Sequence, residues 1–297
     1  MRKVIYFFTG TGNSLVVARD IAEIIKASLV PIPSLIHQEE ITSDAETIGI
    51  VYPVYNQGVS FIIKRFVDLM NDLNSKYIFA VCTHGGSSGI SLEYLDKMLH
   101  EKNGSLAAGF SVRMPYNYVI PSLKLKNFFR SFVLREINPK KQQELFNNWR
   151  LKLADICRVV QSRQKRKLEV KSQAIEHLID FLNLRETLQK SAWLKIGGFK
   201  GKTNLPFQES LQLLDHGFTS DHKCQGCGIC AKICPVENIE MVSGRPVWQH
   251  HCEQCFACLQ WCPNASIQFG YATSTGKRYH HPDVKLSDMY WQKTGLK

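Results

Sequence analysis

Eight of the chain's ten cysteines fall into two copies of one pattern. Cys224, Cys227, Cys230 and Cys234-Pro235 read C-x2-C-x2-C-x3-C-P, and Cys252, Cys255, Cys258 and Cys262-Pro263 repeat it 28 residues on. Thiolates are soft ligands, and three of them two residues apart can wrap one face of a cubane while the fourth ligand comes from elsewhere. The run therefore predicts two [4Fe–4S] clusters, with the fourth cysteine of each run serving the other cluster. Cluster one takes Cys224, Cys227, Cys230 and Cys262, and cluster two takes Cys252, Cys255, Cys258 and Cys234. Disulfides would need an oxidising compartment. Zinc would be satisfied by two C-x2-C pairs per ion and leaves the doubled run unexplained. Gly226 and Gly228 relieve crowding at the first set. The segments 239–242 and 246–248 around Ser243-Gly244-Arg245 read as a hairpin between the two sets. Cys82 and Cys157 stand among apolar residues and read as small core side chains.

A second chemical signal lies near the start. Thr9-Gly10-Thr11-Gly12-Asn13-Ser14 follows the apolar run Val4–Phe8 and precedes apolar residues at helical spacing, from Leu15 to Ile25. A buried strand, a loop of small and hydroxyl residues and an amphipathic helix form a phosphate cradle without a basic side chain. The nucleotide-hydrolysing loop would need Gly-Lys-Ser/Thr, and the dinucleotide fingerprint would want glycine where Leu15 stands.

The elements that must position this loop alternate. Strands are expected at Val4–Phe8, Leu29–Ile32, Thr47–Tyr52, Tyr77–Cys82 and Leu106–Val112. Helices are expected at Gly12–Ala27, Ser60–Met70 and Ser91–Leu99. Continuous apolar strands such as TIGIVY and YIFAVC suit a parallel sheet covered on both faces. The expected fold is α/β, a doubly wound five-stranded parallel sheet. The pattern resembles flavodoxin, which implies the strand order 2-1-3-4-5. Loops at the carboxyl ends of its central strands should meet at one crevice. They are Thr9–Ser14, then Pro53, Val54, Tyr55 and Asn56, then Thr83, His84, Gly85 and Gly86. A flavin needs a planar stacking partner and backbone hydrogen bonds, and these loops offer both. Tyr55 is the first choice for stacking, with Tyr52 and His84 as rivals. Met114-Pro115-Tyr116-Asn117-Tyr118 borders the same crevice.

The charge is uneven. The chain nets +11, yet residues 121–203 alone carry 19 Lys/Arg against 7 Asp/Glu. This middle has helical periodicity over 140–164 and 174–187 and carries no motif that reads nucleic acid. It reads as a solvated helical face joining two modules, or as a docking surface for an acidic partner or an anionic membrane surface. No run approaches the length of a membrane span and no secretion signal opens the chain, so a cytoplasmic protein is expected. The adjacent His280 and His281 near the end could bind metal, but an exposed or packed extension is the simpler reading.

The cysteine-rich part resembles bacterial two-cluster [4Fe–4S] ferredoxins, and the first 115 residues or so resemble flavodoxin, whose Thr/Ser-x-Thr-Gly-x-Thr/Ser loop holds the phosphate of FMN. The order of parts resembles the flavodoxin–ferredoxin fusion proteins of anaerobic bacteria, the EFR-type ferredoxins. The resemblance implies three segments: a flavodoxin-like FMN domain over 1–120, a basic helical segment and linker over 121–203, and a small α+β two-cluster ferredoxin-like domain over 204–297. It implies electron transfer between two [4Fe–4S] clusters and FMN in anaerobic redox metabolism, with a redox protein or small electron acceptor as partner. An FMN-dependent reductase of a small acceptor is the alternative, and a redox-sensing or docking module a further one.

Overall fold

The computed structural model describes residues 2–55, 58–116, 138–170, 190–269 and 278–296, without the side chains of Ala192 and Ile196. Asn56, the helical pattern over 174–187, residues 117 and 118 and the glycine and lysine at 276 and 277 lie outside the described residues. The chain divides into two compact units.

The first unit holds a five-stranded parallel sheet: β1 Lys3–Phe7, β2 Ser28–Pro31, β3 Thr47–Pro53, β4 Tyr77–His84 and β5 Leu106–Arg113. The strand order is β2-β1-β3-β4-β5, a flavodoxin-like order that changes direction at β1 and β3. Every residue of β3 and β4 is buried, as both covered faces of a parallel sheet require. Helices α1 Asn13–Ile25, α2 Phe61–Leu69 and α3 Ser91–Glu101 fill the crossovers. Each turns an apolar stripe to the sheet: Leu15, Val17, Ala18, Ile21 and Ile25 on α1, and Ile62, Ile63, Phe66 and Val67 on α2.

Two segments beyond residue 120 belong to this unit. Helix α4, Pro139–Gln161, buries Trp149, Ile156, Cys157, Val159 and Val160 and packs on α1. Its Trp149 Nε1 donates to Asp20 Oδ2 at 2.6 Å. Residues 166–169 run beside edge strand β5, with Arg166 N–H on Ala107 O and Glu169 N–H on Gly109 O. That covers a sheet edge that would otherwise offer unpaired groups. The basic middle is thus partly structural. Arg158 and Arg166 pair with Asp155, and Lys152 pairs with Glu169. The C-terminal helix, Leu286–Thr294, packs near β2 and residues 32–34. It joins the first unit because Arg19 grips Asp288 and Trp291 lies 5.2 Å from Phe7.

The second unit is small and α+β. Strands β6 Phe218–Ser220 and β9 Ile267–Phe269 pair antiparallel, and β7 Ile239–Val242 pairs with β8 Arg245–Trp248 as the expected hairpin. One-turn helices at Ile229–Lys232 and Ala257–Gln260 lie within the two cysteine runs and carry Cys230 and Cys258. Phe218 centres the core, 4.7 Å from Phe269, 5.3 Å from Trp248 and 5.6 Å from Phe256. Among the described residues, no helix is long and apolar enough to cross a membrane.

Candidate functional site

The second unit gathers its eight cysteines around two cavities. Cys224, Cys227, Cys230 and Cys262 line one, and Cys234, Cys252, Cys255 and Cys258 line the other. The backbone that presents the ligand runs is the same in both copies. Residues two and four after the first cysteine are left-handed: Gly226 (φ 68°) and Gly228 (φ 71°) in one run, Gln254 (φ 55°) and Phe256 (φ 56°) in the other. A side chain at these angles costs about 1–2 kcal/mol, so the second run holds this turn against local preference. Its reward is packing, since Phe256 is buried against Phe218 and Phe269.

Backbone amides point at the sulfurs. Asn238 N–H donates to Cys234 Sγ at 3.2 Å, Gln254 N–H to Cys252 Sγ at 3.3 Å and Ser266 N–H to Cys262 Sγ at 3.3 Å. Burial pushes the Cys230 thiol up to about 11 and the Cys255 thiol up to about 12, and holds Cys252 and Cys258 well above the ordinary range. The neighbouring cysteines raise all four further. Burial also opposes ionisation of Cys262, but the Ser266 hydroxyl and the N–H groups of 264, 266 and 267 outweigh it and lower its pKa. Four crowded sulfurs around a void can all ionise only when cations occupy it. The donor set, the N–H groups aimed at sulfur and the void between them fit an iron–sulfur cluster in each cage.

A third group, Asp215, His216 and His250, brings ligand atoms within 4.8 Å of one another. Asp215 is fully buried and accepts from His250 Nδ1 at 2.7 Å, His250 N–H at 3.0 Å and Asn238 Nδ2 at 2.8 Å. The two imidazoles stack at 3.7 Å and 19°, which sets their in-plane lone pairs side by side rather than converging. That geometry suits a hydrogen-bonded dyad better than a chelate. The adjacent histidines near the end also separate: His280 stacks on Trp261 at 4.1 Å, and His281 is buried with Nδ1 accepting Asp283 N–H.

In the first unit the loop Thr9–Ser14 joins β1 to α1. Gly12 has φ 97°, and a Cβ there would meet Val284 at 2.9 Å, so the turn needs glycine twice over. Thr9 Oγ1 accepts Gly12 N–H at 2.9 Å, which leaves its hydroxyl hydrogen to donate. Ser14 Oγ pairs with Thr83 Oγ1 at 2.9 Å, and Asn13 Nδ2 donates to Pro115 O at 3.1 Å. Gly10 and Thr11 complete the loop, which is buried throughout. Ser14 and Leu15 N–H groups open helix α1 with no acceptor among the described residues. The buried hydroxyls Ser60 Oγ, at the start of α2, and Ser88 Oγ, after β4, also lack a partner there. Buried donors aimed from a helix N-terminus fit the phosphate of a nucleotide-like cofactor.

The aromatic candidates sit in different surroundings. Tyr52 is fully buried with its hydroxyl on Ser91, so it is core. Tyr55, beyond Pro53 and Val54, is only 9% exposed and stands edge-on to Phe8 at 6.3 Å. His84 ends β4 with Nε2 on Ser111 Oγ at 2.9 Å. Tyr116 instead lies over Gly85 and Gly86, where an added Cβ would meet its ring at 2.5 Å and its hydroxyl at 2.3 Å, and it is 46% exposed. The C-terminal segment also reaches the loop. Gln292 bonds both backbone groups of Thr9, at 2.7 and 2.9 Å, and His281 N–H donates to Thr11 O at 2.8 Å. No signal in the sequence tied these distant residues to the loop.

Residues 220–240 match the family model for a 4Fe-4S binding domain. No curated protein matches the chain. Among solved structures, a protein of Bacteroides uniformis described as a flavoprotein is 17% identical over 39% of this chain and 92% of its own, with a TM-score of 0.31. The flavodoxin, WrbA-like protein of Agrobacterium tumefaciens is 16% identical over 55% of this chain and 99% of its own, at 0.34. The two-electron reduced flavodoxin of Megasphaera elsdenii is 13% identical over 37% of this chain and 85% of its own, at 0.28.

Proposed function

We propose that the chain is an electron-transfer protein that carries two [4Fe–4S] clusters in its second unit and FMN in its first, as the EFR-type flavodoxin–ferredoxin fusions do. The observation that carries this reading is the division of the eight cysteines, four and four, around two cavities. Cys224, Cys227, Cys230 and Cys262 would hold one cluster, and Cys252, Cys255, Cys258 and Cys234 the other. The loop Thr9–Ser14 would take the FMN phosphate through its backbone N–H groups and the Thr9 and Thr11 hydroxyls, with the residues after β3 and β4 on the ring. Bound, the flavin would exchange one or two electrons and each cluster one. Carrying both on one chain raises their effective concentration for each other. The outer partner is a redox protein or a small acceptor. Anaerobic purification followed by iron, acid-labile sulfide and flavin analysis tests the reading. About eight irons and one FMN per chain are expected. Four irons, or zinc in their place, would refute the two-cluster assignment, and eight irons without flavin would refute the FMN site.

A further inference from the structure

The two cysteine cages repeat one backbone device. In each, the N–H four residues after the fourth cysteine donates to that cysteine's sulfur: Asn238 to Cys234 and Ser266 to Cys262. What stands behind that N–H differs in sign. Arg278 Nη2 donates to Ala265 O at 3.0 Å and to Ile267 O at 2.7 Å. Ala265 O belongs to the peptide unit whose N–H, that of Ser266, meets Cys262. A cation on the carbonyl polarises the N–H toward the sulfur. At the other cage the Asn238 side chain donates to the buried Asp215 carboxylate at 2.8 Å, so an anion backs the residue that meets Cys234.

The surroundings add to the contrast. Glu253, between the ligands Cys252 and Cys255 in sequence, is buried, as is Asp215. At the first cage the Asp221 carboxylate accepts Lys223 N–H and Gln268 Nε2, and Arg245 binds its carbonyl. The first cage is also the wetter. Cys227 is exposed and its three partners half-buried, whereas Cys234, Cys255 and Cys258 are buried. A cluster gains negative charge when reduced, so cationic neighbours, N–H donors and solvent raise its potential, and buried carboxylates lower it.

Resting on the two-cluster reading above, we propose that the cluster held by Cys224, Cys227, Cys230 and Cys262 has the higher reduction potential, and that Arg278 and Asp215 set the gap between the two. Each cluster takes one electron from an external reductant, and no bond is made or broken. The first electron on the second unit therefore rests at the Arg278 end.

The test is a mediated redox titration of the full chain with dithionite, followed by electron paramagnetic resonance at pH 8, where imidazoles of ordinary pKa are neutral. Two separated potentials are expected. Arg278→Gln lowers the upper one alone, Arg278→Lys restores it, and Asp215→Asn raises the lower one alone. Each neutralising change shifts the sharing of an electron between the clusters at least tenfold, about 59 mV. Equal potentials in the unaltered chain, or neutralising variants with full iron that move neither potential, would overturn the proposal. If Arg278→Gln fails to retain iron, Asp215→Asn decides alone, and an unmoved lower potential overturns it. Fewer than eight irons in the unaltered chain would instead refute the reading on which it rests.

Discussion

Gln292 is the residue on which the buried loop after β1 leans hardest from a distance. Its amide oxygen accepts Thr9 N–H at 2.7 Å and its amide nitrogen donates to Thr9 O at 2.9 Å. Both residues are only 1% exposed, so water cannot replace these bonds without an opening. In Gln292→Ala each abandoned backbone group loses about 1–3 kcal/mol. Allowing for partial relaxation, the pair should cost about 3 kcal/mol of local stability. At about 1.4 kcal/mol per decade, that is roughly a hundredfold faster opening equilibrium for the segment. Hydrogen–deuterium exchange with mass spectrometry reads it directly. Peptides covering residues 3–16 should exchange about a hundredfold faster in the variant, while peptides of the second unit do not change. Gln292→Glu sharpens the test, because the carboxylate can still accept Thr9 N–H but faces Thr9 O without a donor. Because that charge would also be buried, it should loosen the loop at least as much as Gln292→Ala. Unchanged exchange over residues 3–16 in both variants would refute the idea that the C-terminal helix fastens this loop.

Two further outcomes follow from other parts of the chain. Burial raises the Asp20 pKa above its ordinary 3.8, the Trp149 N–H lowers it, and Glu23 and Asp283 raise it again. With the folded pKa above the unfolded one, protonated Asp20 contributes stability that is full below about pH 3.8 and lost as pH rises through the folded value. Asp20→Asn, which keeps an acceptor for Trp149, should raise the melting temperature of the first unit at pH 7 and give no gain below pH 3.8; a lower melting temperature at pH 7 would contradict this. At Gly226 (φ 68°) an added Cβ would meet Gly244 O at 3.0 Å. Gly226→Ala should cost about 1–2 kcal/mol and speed the loss of metal to a chelator, and an unchanged rate would show that the turn is not under this constraint.

The central strands were legible because parallel strands covered on both faces leave uninterrupted apolar runs, and β3 and β4 are buried at every position; their order was implied by the resemblance to flavodoxin. The hairpin at 239–248 was legible for a different reason, a Gly-containing turn between two short runs. Amphipathic spacing in α4 showed that Trp149, Ile156 and Val160 turn one way, but a stripe does not name what it packs on. Only the structure assigns it to α1 and so moves it into the sheet unit. The C-terminal helix was less legible still. Its hold on the first unit runs through Gln292, Asp288 and Trp291, whose partners Thr9, Arg19 and Phe7 are more than 250 residues away in sequence.

The cysteine cages show where spacing stops informing. The run C-x2-C-x2-C-x3-C-P names the sulfurs that line each void, and both copies turn left-handed two and four residues after their first cysteine. Glycine announces those turns at 226 and 228, and nothing announces them at Gln254 and Phe256, where the fold imposes the same angles on side chains that resist them. Two runs alike in spacing and backbone then differ in what faces their sulfurs. Those groups arrive from outside the motif, Asp215 nine residues before the first cysteine and Arg278 sixteen after the last. A motif can repeat its ligands and its turns, but the charge behind each copy is set by the chain on either side, and there the two cages part company.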